Sequence, residues 1–162
     1  MQQYYSPVKI LIMKSLVRFS LIAAAIFFLS GCVKSIVITT QDPIVGSWTL
    51  NSASEGDASG WTSFATGVES GVFNLYANGS AQYSDAHVRM EGRWSMVSVS
   101  GGYYDEYGSF YNGQHQQMEL HLNDATTHSS IDLSFDYVNL YGNQFVATYF
   151  NGSLIDRYFF SK

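Results

Sequence analysis

The sequence predicts an all-β domain, an antiparallel up-and-down meander of about eight strands closing into a barrel, and three observations predict it. First, segments after residue 43 alternate apolar and polar side chains with period two, and none sustains a helical period. Second, Asn78-Gly79, Asn112-Gly113 and Asn151-Gly152 are hairpin-turn dipeptides, because Asn-Gly tolerates the positive φ angles of a tight turn, and Tyr141-Gly142-Asn143 makes a further break. Third, aromatic residues make up 16% of the chain and prolines number two, a composition that favours strands packed on a shared core. A meander of this kind hides its edges by closing on itself.

Ahead of that domain the chain has a different character. Lys9, Lys14 and Arg18 precede the uncharged run Phe19–Leu29, a charged segment followed by an apolar one of secretory length. Met13 is the expected start of this leader. Cys32 is the only cysteine, which excludes an intrachain disulfide and a metal site built on paired thiolates. The run Leu29-Ser30-Gly31-Cys32 resembles the lipobox of bacterial lipoproteins. That resemblance implies cleavage before Cys32, a thioether diacylglycerol on its sulfur and acylation of the new amine. An uncleaved N-terminal anchor helix with an incidental cysteine is the other reading. Two or more acyl chains hold a protein stably on a bilayer. The expected organisation is a signal peptide over residues 1–31, a lipidated tether over 32–42 and the β-domain over 43–162. The domain is expected on the extracytoplasmic side of a bacterial envelope membrane. Val33, in place of aspartate, favours the outer membrane in an enteric-type host.

Strands are expected near 44–50, 71–77, 80–88, 91–99, 103–111, 115–122, 130–140, 143–150 and 153–160. In residues 130–140, Ile131, Leu133, Phe135 and Tyr137 point one way while Asp132, Ser134 and Asp136 point the other. In residues 115–122, Met118, Leu120 and Leu122 oppose Gln117, Glu119 and His121.

The opening strand, with Gly46-Ser47-Trp48, resembles the G-x-W strand of lipocalins and of the lipocalin-like domains found on small bacterial lipoproteins. Gly92-Arg93-Trp94 repeats the pattern, and residues 73–83, FNLYANGSAQY, are similar to a hairpin frequent in those domains. The resemblance implies that Trp48 plugs the closed barrel end beside Gly46, with Arg157 of the last strand stacked across it. Plain core filling by Trp48 and Trp94 accounts for the same residues. The disulfide and C-terminal helix of secreted animal lipocalins are not matched, so their ligands do not carry over.

Two aromatic stretches are candidate contact regions. Residues 51–70 are polar and lack alternation, yet hold Trp61 and Phe64, as a lid loop over a barrel mouth would. Packing of both rings over the barrel end as a satellite core is the alternative. Residues 100–112 carry Tyr103, Tyr104, Tyr107 and Tyr111 around Asp105 and Glu106, which suits a sugar or protein contact and equally an amphipathic hairpin.

Residues 32–162 hold five basic against thirteen acidic residues, a formal charge of −8, which disfavours nucleic acid as a partner. No G-x-S-x-G, cysteine nucleophile or glycine-rich phosphate loop is present, so no enzyme activity, catalytic residue or cofactor is expected. His115 and Glu119 fall about 13 Å apart on one strand, too far to share an ion, which leaves only Glu119 and His121 close together. A solvated face is the expected reading there, without metal, and Asp105, Glu106, Asp132 and Asp136 are expected as surface charge. The expected function is binding of a small apolar or amphipathic ligand in the barrel mouth. The alternative is a filled barrel that serves as a structural or protein-interaction module, with residues such as Phe73, Leu75, Trp94, Leu120, Phe135 and Phe145 packed on one another.

Overall fold

Period-two alternation becomes ten strands in the computed structural model, which describes residues 43–162: β1 (Gly46–Asp57), β2 (Gly60–Phe64), β3 (Val72–Leu75), β4 (Ser80–Ser84), β5 (Arg89–Tyr104), β6 (Phe110–Asn123), β7 (Ser130–Phe135), β8 (Tyr137–Tyr141), β9 (Gln144–Phe150) and β10 (Ile155–Ser161). All ladders are antiparallel, and the strands follow the order β7-β6-β5-β4-β3-β1-β10-β9-β8, with β2 paired to β1 off this path. The all-β antiparallel meander is therefore present. Cys32, the leader and the tether lie outside the described residues.

Two leaves share β1. Its first residues, Gly46 to Trp48, pair with β3 in the first leaf. From Thr49 the strand pairs with β10 in the second leaf, with an irregularity in the register between Leu50 and Ser52. The extra residue at this point re-aims the strand, as β-bulges do where a sheet changes direction. The expected closure by a continuous ladder is not found: β7 and β8 stand at the two ends of the strand order. They are consecutive in the chain and are separated only by Asp136, whose N–H donates to the Thr148 carbonyl at 2.8 Å. A strand cannot form a ladder with its own continuation, so the chain crosses from one leaf to the other here by bending.

Side chains from both leaves meet between them. Trp48 contacts Phe145 edge-on at 4.7 Å, Phe145 stacks on Phe160 at 4.3 Å, and Phe73 lies 4.8 Å from Tyr83. Phe73, Leu75, Trp94, Leu120, Phe135 and Phe145 are all buried in this one cluster, with Met96 and Leu133 packed against it. Each such side chain contributes roughly 1.5–3 kcal/mol on burial.

β9 departs from simple alternation, because Phe145, Val146, Ala147 and Thr148 are all buried. One face of β9 looks into the core; the other is covered by the outer part of the β5–β6 hairpin. β4 leaves β5 at Arg93, and β7 leaves β6 at Met118, yet the β5–β6 ladder runs on to Tyr104 and Phe110. This two-stranded arm folds over the second leaf on the side away from the core. Tyr103 stacks on Tyr137 at 4.8 Å, and the Tyr104 carbonyl accepts from Thr148 Oγ1 at 2.7 Å.

Three expected turns hold: Gly79, Gly142 and Gly152 adopt positive φ between β3 and β4, β8 and β9, and β9 and β10. Asn112-Gly113 does not turn. It lies within the ladder, opposite Gly101 and Gly102, and the reversal comes earlier, at residues 105–109. There Asp105 accepts from the N–H of Tyr107 at 3.0 Å and of Ser109 at 2.8 Å. An aspartate that bonds its own backbone is a competing turn former, and here it prevails.

Gly46 has φ +142, and a Cβ there would meet Lys162 Cε at 3.0 Å, so both backbone and space favour glycine. Lys162 Nζ lies 4.6 Å over the Trp48 ring and donates to the carbonyls of Pro43 and Val45. Trp48 Nε1 donates to Ile44 at 2.7 Å. With this buried indole central to the packing, Trp48→Ala is expected to cost about 3–5 kcal/mol, measured by denaturant unfolding. A loss under about 1 kcal/mol would show that the core does not depend on it.

Candidate functional site

Arg157 does not stack on Trp48. Arg157 pairs with Ser54, well along β1 from Trp48, and projects from the face of the second leaf away from the core. Its guanidinium lies 3.7 Å from the Trp61 ring centroid and 4.9 Å from that of Phe159. Nε donates to Ser54 Oγ at 3.3 Å, and Nη1 donates to the backbone carbonyl of Glu106 at 2.8 Å. Arg157 therefore links β10, β2 and the turn of the arm. Burial pulls its pKa below the usual guanidinium value, and the Glu106 charge opposes that shift.

The stretch 51–70 is not a single lid loop. Residues 51–57 complete β1 and 60–64 form β2, so Trp61 and Phe64 sit on a hairpin. Trp61 is half-buried beneath Arg157, whereas Phe64 is 37% exposed and meets Tyr158 edge-on at 6.0 Å. Trp61 and Phe64 thus occupy opposite faces of the hairpin and do not cap one end together.

The tyrosines of the arm separate by role. Tyr103 is sandwiched by Tyr137, Tyr111 and His115. Tyr104 packs on Phe110 and Phe150. Both hold the arm down, while Tyr107 is 69% exposed at the turn. Asp105 and Glu106 are buried, contrary to the expectation of surface charge, because the turn folds them against the second leaf. Glu106 Oε1 accepts from the Tyr141 hydroxyl and from Asn139 Nδ2. Burial first, and Glu106 second, push the Tyr137 and Tyr141 phenols above their ordinary value. His115 is buried as well, whereas Glu119 and His121 are solvated and 3.8 Å apart. Among the described residues no group of three or more His, Cys, Asp or Glu could hold a metal ion.

A half-open cleft of about 450 Å³ lies where the arm turn meets the second leaf. Glu106 and Tyr107 line it from the turn, Tyr141 from β8, Gln144 and Val146 from β9, Arg157 and Phe159 from β10, and Asn51 and Ser52 from β1. Of the expected contact residues the cleft gathers Tyr107 alone; Arg157, expected at the barrel end, lines it as well, and Trp61 supports it through Arg157. Glu106, Tyr141, Gln144 and Phe159 were not legible as site residues, since their meeting depends on the arm folding back. A second cleft of about 480 Å³ beside Arg89, Glu91 and Asp124 has no aromatic lining.

Compared with known proteins, the chain matches no family model, no curated sequence and no solved structure. The reading of the cleft therefore rests on its own geometry.

Gly108 governs the docking of the arm. It has φ +81, and a Cβ there would lie 2.8 Å from the Ala58 backbone nitrogen at the β1–β2 turn. Gly108→Ala is expected to cost about 1–3 kcal/mol and to speed proteolysis within residues 95–117. Unchanged proteolysis would show that the arm is held elsewhere.

Asp156 provides a pH test. Burial first, and then Glu55 directly across the ladder, raise its pKa. A carboxyl raised in the folded state contributes fully below its unfolded value, about 3.9, and its contribution is lost as pH rises through the folded value. At neutral pH the charged Asp156 weakens the fold. Asp156→Asn should raise the melting temperature at pH 7, and the gain should shrink toward pH 4. A gain independent of pH would mean that the effect is not electrostatic.

Proposed function

We propose that this chain is a membrane-anchored envelope lipoprotein whose β-domain works as a recognition module through the outer cleft, with no ligand held between its leaves. The observation that carries this reading is the filled interior: the side chains that would border an internal ligand are buried against one another in one cluster. The alternative of a filled domain acting through its surface is thus favoured over an apolar ligand in a barrel mouth.

The placement of the cleft supports the same reading. β1 begins at Gly46, beside Pro43, where the tether would join, and ends at Asp57, beside the arm turn. Over 12 residues an extended strand spans about 40 Å. The Tyr107 end thus lies at the far end of β1 from Pro43.

Metabolic labelling with a fatty-acid analogue should mark the wild type and miss Cys32→Ala; equal labelling would remove the anchor. Titration of the soluble domain with a fatty acid and an isoprenoid, followed by tryptophan fluorescence, should show no saturable quenching. Saturation at micromolar ligand would restore the internal-ligand reading.

A further inference from the structure

Resting on the reading of the outer cleft as the working surface, we infer that its ligand is a neutral oligosaccharide. A sugar ring presents a weakly polar C–H face flanked by hydroxyls that both donate and accept. A site for it needs an exposed aromatic face beside planar polar side chains that retain unused hydrogen-bonding atoms. The cleft has both. Tyr107 is 69% exposed and Tyr141 46% exposed, and both line the cleft.

The polar atoms left over are of the required kinds. Among the described residues Nη2 of Arg157 makes no hydrogen bond, while Nε and Nη1 are used within the fold. Glu106 is committed within the fold, its Oε1 accepting from Tyr141 and Asn139 and its carboxylate also facing the Tyr137 hydroxyl. Gln144 is exposed and contributes an amide with both a donor and an acceptor. A free guanidinium donor and an amphoteric amide thus stand beside two exposed phenol rings. The volume of about 450 Å³ falls within the range of small-molecule sites.

Other ligand classes fit less well. An apolar ligand would cover Arg157 Nη2 and the Gln144 amide without offering either a partner, which costs free energy. An anion would meet Glu106 beside Arg157, on a domain with a formal charge of −8. A cation would meet Arg157.

The test uses the soluble domain from residue 33 with triacetylchitotriose, cellotriose and maltotriose as probes and inorganic phosphate as a comparison, read by saturation-transfer NMR and calorimetry. At least one trisaccharide should bind saturably, with ring-proton contacts to tyrosine. Tyr107→Ala and Gln144→Ala should each weaken it about tenfold or more without lowering the melting temperature. Tyr76→Ala, an exposed tyrosine away from the cleft, should leave affinity unchanged. Binding of phosphate alone, binding of no sugar, or sugar binding indifferent to Tyr107→Ala and Gln144→Ala would overturn the assignment. Failure of the sugars without saturable binding of fatty acid or isoprenoid sinks only the ligand class. Saturable binding of those apolar probes sinks the recognition-module reading itself.

Discussion

Because the arm covers the side of the second leaf that the core leaves free, β9 is buried on both faces from Phe145 to Thr148, and the placement of the cleft follows from that double burial. Ala147 packs inward while its neighbour Thr148 is equally hidden beneath the arm, with its hydroxyl donating to Tyr104. The arm therefore supplies a third layer over half of the domain. Its turn must then settle against β10 and β8, which brings Glu106 to Arg157 and Tyr141. The cleft is the remaining space at that junction.

Two cations meet two tryptophans, and their assignments follow from register. Trp48 lies at the start of β1 and faces the core, within reach of Lys162; Trp61 lies on β2 and faces the guanidinium of Arg157. A cation over an indole face gains about 0.5–2 kcal/mol, depending on how far it is desolvated. Arg157 is the more constrained of the pair, because its planar group also serves Ser54 and the Glu106 carbonyl. Exchanging the two cations would lose that second set of contacts.

The fold class was legible because alternation and turn chemistry are local. Residues 115–122 and 130–135 carried their inward faces in plain view, and Asn78-Gly79 and Asn151-Gly152 turn where the dipeptide demands. The bend at Asp136 was hidden. Tyr137 does not share the face of Ile131, Leu133 and Phe135 as expected: the bend shifts the alternation by one residue, so Val138 and Leu140 face the core and Tyr137 packs on Tyr103 of the arm. The reversal at Asp105 was hidden too, since Asn112-Gly113 carries the stronger local signal and Asp105 wins only through its own side-chain bonds. For the same reason the site was legible only at Tyr107, and Arg157 was expected at the other end of β1. Gln144, Tyr141 and Phe159 look like ordinary strand residues until the arm is laid across them.

The course of β1 has a mechanical consequence. A load entering at Pro43 and resisted near the arm turn would run lengthwise down a strand flanked by β10 on one side and by β3 and then β2 on the other. Force along the strand axis strains many inter-strand hydrogen bonds together, whereas force across it would break them one at a time. The Lys162 clasp on the Pro43 and Val45 carbonyls secures the point where such a pull first enters. The domain is thus braced for traction between its two ends.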